Sequence, residues 1–181
     1  MAFYKPIAAA IAPIPFYSYH MPSVTGINLP MKEFLEKGSR EIPNLNGIKF
    51  TSNNFMEMLE CIRLEDGRFD ILNGFDEMLL CGMAVGARGG VGSTYNYSLR
   101  TYQNIYDAFM AGDLEQARAA QQESVDIVHV IINHGGGIRG GKAIMKLVGI
   151  DCGDCRLPFA PYTESEMRQL SEELDRIGFA K

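Results

Sequence analysis

The feature that most limits what this chain can fold into is a change of rhythm near Leu99. Before it, short apolar runs alternate with amphipathic ones. Phe16–Met21, Gly47–Phe50, Phe69–Leu72 and the Gly-rich Arg88–Gly92 read as strands. Between them, Pro30–Lys37, Asn54–Ile62 and Asp76–Val85 read as helices. Pro30 suits a first turn, and Phe55, Met58, Leu59 and Ile62 recur at helical spacing. Strands separated by helices imply right-handed crossovers and parallel pairing. After Leu99 only helices are expected: Leu99–Met110, Asp113 to about Asn133, about Gly140 to Val148, and Thr163–Ile177. Two of these open on capping signals, Asp113-x-x-Gln116 and Thr163-x-x-Glu166.

The expected class is α/β. Four parallel strands, each followed by a helix, make half of a (β/α)8 barrel. The expected organisation is one structural domain: residues 1–98 form the half-barrel, and residues 99–181 supply its last helix and a helical extension. Four such strands have two open edges unless something covers them.

Composition narrows the function. A net charge of −5 gives no footprint for nucleic acid or an anionic membrane, and no apolar run is long enough for a membrane span. The apolar stretch Pro6–Pro15 contains three prolines and lacks a basic flank, against a signal peptide. Four scattered cysteines read as reduced thiols of a cytoplasmic protein.

Lys49 is the first candidate for chemistry. It lies in Gly47-Ile48-Lys49-Phe50-Thr51-Ser52, after a turn signal at Pro43-Asn44-Leu45-Asn46. Inside a buried strand, desolvation disfavours the ammonium, and the free amine can attack a ketone. A lysine at a strand's end can equally snorkel to solvent. Three further segments fall at the C-terminal ends of expected strands, where barrel enzymes place their chemistry. Tyr19 offers a phenol for proton relay or a ring for packing. Gly74 lets backbone approach a ligand, and Asp76-Glu77 can accept hydrogen bonds from a polyol or cap a helix. Gly89 to Asn96 ends a small-residue strand with the Ser93 hydroxyl, or forms a tight loop.

The order Tyr19-His20-Met21-Pro22…Thr25-Gly26, Gly47-Ile48-Lys49, Gly74-x-Asp76-Glu77 and Gly92-Ser93-Thr94-Tyr95-Asn96 resembles the N-acetylneuraminate lyase family. That family lies within the dihydrodipicolinate synthase superfamily of class I aldolases. The resemblance runs from about Phe3 to the C-terminus, through Lys142-Ala143-Ile144-Met145 and Arg156-Leu157-Pro158-Phe159. It implies that Lys49 is the Schiff-base lysine and Tyr19 the proton-handling tyrosine. It implies substrate contacts from Thr51, from Gly74, Asp76, Glu77 and Ser93 at the glycerol-like tail of the sugar, and from Phe159 in the pocket wall. The implied reaction cleaves N-acetylneuraminate to N-acetylmannosamine and pyruvate, with no metal and no cofactor beyond the imine on Lys49. A homotetramer is the assembly the resemblance implies. The synthase branch usually carries an arginine where Val24 stands, and Asp76-Glu77 suits a polyhydroxylated substrate, so the lyase is favoured over the synthase.

Family chains are longer than this one by more than half. The first strands are absent here, along with the Gly/Ser/Thr-rich loop that holds the substrate carboxylate. Phe3-Tyr4-Lys5-Pro6 resembles the end of the family's fourth strand. The alternative is therefore a catalytically silent half-barrel. Two weaker signals are set aside. Gly136-Gly137-Ile138-Arg139-Gly140-Gly141-Lys142-Ala143 nearly spells a P-loop, but Ala143 replaces the magnesium-binding Ser/Thr, and a glycine-rich turn between helices is expected instead. Cys152-Gly153-Asp154-Cys155 has metal or redox spacing, with His129 and His134 as conceivable partners, but stands alone in a loop.

Overall fold

In the computed structural model, which describes residues 1–179, the alternating half of the sequence becomes a parallel sheet. The strands are β1 (Phe16–His20), β2 (Leu45–Phe50) and β3 (Asp70–Asn73), in the order β1-β2-β3. The helices are α1 (Tyr4–Ala10), α2 (Pro22–Thr25), α3 (Met31–Glu41), α4 (Phe55–Arg63) and α5 (Leu79–Ala84). A 3-10 turn over Asp76–Met78 precedes α5. The chain divides into two compact units, Met1–Val91 and Gly92 onward.

Side-chain alternation gives the sheet two different faces. Phe16, Ile48, Phe50 and Ile71 are buried with Phe34, Leu35 and Met58 from the helices, and they form the first unit's core. Tyr17, Tyr19, Lys49, Asp70 and Leu72 alternate with that buried set and are half-buried or exposed. The open face is therefore the polar one.

Several expected elements differ. Phe3–Pro6 is not a strand end, because Tyr4 begins α1. Pro6 sits in its first turn, where a missing N–H costs nothing, and an alanine run follows. Tyr4 packs its ring 5.5 Å from those of Phe16 and Phe34. Leu45 and Asn46, expected in a turn, already belong to β2. The fourth expected strand, Arg88–Gly92, makes a single parallel bridge from Gly90 to Asn73. Adjacent glycines have no side chains to pack against the helix layer, so little extends the pairing.

In the second unit α6 (Tyr95–Met110), α7 (Leu114–Asn133), α8 (Gly136–Leu147) and α9 (Glu164–Arg176) follow. Ser98, non-helical at φ −133°, kinks α6 next to the expected start at Leu99. Ile127, Ile131, Ile144, Leu170 and Leu174 form this unit's core. The glycine-rich stretch is the first two thirds of α8 rather than a turn. A Cβ on Gly140 would lie 3.2 Å from the His134 carbonyl oxygen, so glycine lets α8 pack against the end of α7. Arg139, inside the P-loop-like stretch, donates to the Ala160 and Pro161 carbonyls and pairs with Glu166. Lys142 donates to the carbonyls of Cys152 and Asp154. These cations hold a loop, and among the described residues no cluster of His, Cys, Asp and Glu is arranged to bind a metal.

Candidate active site

The register of the sheet builds the site. Tyr19 pairs with Lys49, and Lys49 with Leu72, so the three residues cross the open face in one row. Lys49 is half-buried, and its Nζ lies 4.3 Å from the centroid of the Tyr19 ring. Tyr19 is 49% exposed, and its hydroxyl donates to Met21 Sδ at 3.2 Å. Lysine and phenol therefore share one accessible surface at the C-terminal ends of β1 and β2.

The row below was not anticipated from sequence. Tyr17 pairs with Gly47 and Gly47 with Asp70. The Tyr17 hydroxyl donates to Asp70 Oδ2 at 2.9 Å and accepts from Asn46 Nδ2. Burial, then the hydrogen bond to Asp70, pushes the Tyr17 phenol above its usual pKa. Gly47 permits this crossing: a Cβ there would overlap the Asp70 carbonyl oxygen and lie 2.9 Å from Tyr17 Cε1. The available signal was the alternation Tyr17-Ser18-Tyr19 facing Gly47-Ile48-Lys49, which puts both tyrosines on the lysine's face.

Above the row the strand ends step upward. Thr51 N donates to the His20 carbonyl and Gly74 N to the Phe50 carbonyl, both at 2.8 Å. Thr51 is 4% exposed, its Oγ1 has no hydrogen-bond partner, and a side chain on Gly74 would overlap that oxygen. Asp76 is buried in the first turn after β3, and its neighbour Glu77 is half-buried. His20 turns to the helix side, 5.1 Å from the Phe50 ring, with Nε2 unpartnered. Burial lowers its pKa, and the Glu57 carboxylate opposes this only in part. It packs; it does not face the lysine row.

Tyr19, Lys49, Thr51, Gly74, Asp76 and Glu77 thus belong to the first unit, at the strand ends or just beyond them. Ser93 and Phe159 lie in the second unit: Ser93 is exposed just ahead of α6, and Phe159 is 37% exposed in the loop between α8 and α9.

A model of the dihydrodipicolinate synthetase family matches residues 1–177. The chain belongs to this family. Its similarity to N-acetylneuraminate lyase from Mus musculus is 36% identity over 99% of this chain and 57% of that protein. The lyase from Gallus gallus is 34% identical over 98% of this chain and 58% of that one. Among solved structures, the lyase of Proteus mirabilis superposes with a TM-score of 0.91 at 34% identity, covering 97% of this chain and 59% of that one. That of Aliivibrio salmonicida gives 0.90 at 38%, covering 98% and 58%. The chain thus spans less than three fifths of each of these relatives. Membership in the dihydrodipicolinate synthetase family confirms the superfamily resemblance drawn from Tyr19, Lys49, Asp76-Glu77 and Ser93, and it covers the helices after Leu99 as well as the sheet.

Proposed function

We propose that this chain carries the lysine-bearing part of an N-acetylneuraminate lyase. The observation that carries the reading is the pairing of Lys49 with Tyr19 on adjacent parallel strands, with nitrogen and phenol ring together on the open face. The similarity to named lyases at 34–38% identity supports it. The barrel architecture of the family is read onto this chain as four β/α units, the segment around Gly90 standing fourth.

The chemistry runs through the lysine. Neutral Lys49 Nζ attacks the C2 ketone of open-chain N-acetylneuraminate, and loss of water leaves a protonated imine. Tyr19, with the substrate carboxylate, accepts the C4 hydroxyl proton. The C3–C4 bond breaks, its electron pair moves into the imine to form an enamine, and N-acetylmannosamine leaves as the aldehyde. Protonation at C3 and hydrolysis release pyruvate and regenerate the amine. The protonated imine is the electron sink, so this route needs no metal ion. Thr51 Oγ1, buried without a partner, would donate to a substrate oxygen. Gly74, Asp76 and Glu77 would hold the polyhydroxylated tail; for Ser93 and Phe159 a substrate contact rests on the family resemblance alone. No described helix is long and apolar enough to cross a membrane. The cytoplasm and a homo-oligomer are what the family resemblance implies for this chain.

The alternative, a catalytically silent half-barrel, is not the one the named relatives favour. Borohydride reduction in the presence of pyruvate separates the two. A mass increase on Lys49 supports the lyase reading; no adduct at millimolar pyruvate supports the silent one.

A further inference from the structure

The proposed reaction makes no use of the dithiol Cys152-Gly153-Asp154-Cys155, which lies in the loop between α8 and α9. Lys142 on α8 donates to the Cys152 carbonyl at 3.1 Å and to the Asp154 carbonyl at 3.0 Å. Carbonyls two residues apart meet one ammonium because residues 151–156 run without a turn or bend. Among the described residues no backbone–backbone hydrogen bond involves residues 151–155. The ammonium, rather than a ladder of backbone bonds, sets the path of this segment. Gly153 N donates to Asp151 Oδ1 at 2.8 Å, and Gly153 has φ +68°. That is the φ required at the second residue of a type I′ or II′ turn. In such a turn Cys152 stands first and Cys155 fourth. Both are free thiols, Cys152 exposed and Cys155 half-buried.

We propose that Cys152 and Cys155 are a modification site for a small-molecule disulfide, and that their oxidation to an intramolecular disulfide frees this segment from Lys142. The Cys152 thiolate attacks one sulfur of the small disulfide. That S–S bond breaks, one small thiol leaves, and a mixed disulfide forms on Cys152. The Cys155 thiolate then attacks the Cys152 sulfur, and the second small thiol leaves. The protein gives up two electrons and two protons, and the small disulfide becomes two thiols. A disulfide needs Cα atoms about 4.4–6.8 Å apart. The ends of an unturned four-residue segment are about 10 Å apart. Closure therefore folds the segment about Gly153. The Cys152 and Asp154 carbonyls then diverge, and Lys142 keeps at most one of them. The ammonium thus biases the pair toward the open dithiol. Cys61 takes no part: it is buried in the first unit's core, and burial pushes its thiol up to about 12. None of this rests on the lyase reading.

The test uses the full 181-residue chain, first reduced and then equilibrated in millimolar oxidised and reduced glutathione. After acid quench and alkylation, trypsin cuts at Lys146 and Arg156, so both thiols leave in one peptide, 147–156. The expected product is that peptide two hydrogens lighter and unalkylated. Cys155→Ser should instead stop at the mixed disulfide on Cys152. Lys142→Met keeps the aliphatic stem and loses the charge. It should shift the ratio of disulfide to dithiol about tenfold toward disulfide, on the order of one charge-assisted hydrogen bond lost from the open form. Cys81, exposed on α5, is the internal control and should carry glutathione alone. A 147–156 peptide that stays fully alkylated overturns the proposal. So does one that carries only glutathione, or one cross-linked between two chains. An unchanged ratio in Lys142→Met overturns the link to α8. The wild-type masses decide the disulfide even where a variant fails to fold.

Discussion

The Lys49 nitrogen stands 4.3 Å from the centre of the Tyr19 ring, across the pairing of two neighbouring parallel strands. A cation over a tyrosine face at a partly exposed site gains about 0.5–1 kcal/mol. That is enough to bias the long side chain toward one place and too little to hold it against a reacting carbonyl. The ring positions the lysine, and the hydroxyl is a separate instrument. The two roles can be separated by substitution.

Lys49→Ala removes the only amine on this row. Reduction with borohydride in the presence of pyruvate should give no adduct in the variant, while its circular dichroism matches the parent. An adduct that survives would move the chemistry to another lysine.

Tyr19→Phe keeps the ring beneath Nζ and loses only the hydroxyl. Pyruvate trapping on Lys49 should change little, while cleavage of N-acetylneuraminate falls about 10²–10⁴-fold, the usual share of a positioned acid/base. A loss of cleavage below about threefold would leave Tyr19 as a packing residue alone.

Glu77 is half-buried beside the buried Asp76, one turn past β3. Glu77→Ala should depress cleavage of sialic acid more than imine formation with pyruvate, because pyruvate has no polyol tail. Parallel losses with both ligands would make this pair structural.

Much of this was legible in the sequence because the signals are local. Asp113 accepts from Gln116 N at 3.0 Å, and Thr163 and Glu166 close a reciprocal capping box, as their spacing implied. Glu166, held also by Arg139, has its carboxyl pushed down to about 2. The strand-end positions of Lys49 and Tyr19 were legible for a similar reason: each sits in a short motif. What was missed depends on distant partners. Tyr17 and Asp70 are 53 residues apart, and only strand register brings them together over Gly47. Glycine misled twice, because its role is set by what approaches it. Gly140 lies in a helix that packs against the end of α7, while Gly89-Gly90 reduce an expected strand to one bridge.

His20 gives the first unit a sensitivity to acid. It is 4% exposed and its pKa is lowered by burial, so the unfolded chain takes up a proton near pH 6.5 while the folded one still excludes it. Protons therefore favour unfolding, and the stability held above pH 6.5 should decline as the pH falls below it. His20→Leu should remove this contribution. Urea midpoints of the two proteins, taken from neutral to mildly acidic pH, should converge or cross as the parent weakens. A constant gap across that range would mean that the buried imidazole titrates alike in both states.

Gly47→Ala tests whether the lower row is a fixed floor. The added methyl meets the Asp70 backbone carbonyl as well as the Tyr17 ring, and only the ring can move away easily. Overpacking of this kind typically costs about 1–3 kcal/mol, read as a drop in urea midpoint. Tyr17→Ala should relieve little of it, because the limiting contact is backbone to backbone across β2 and β3. Tyr17→Phe should cost less, on the order of one hydrogen bond, about 1 kcal/mol. If Gly47→Ala proves neutral, or if Tyr17→Ala rescues it fully, then β2 and β3 are not locked in the register that places Lys49 between Tyr19 and Leu72.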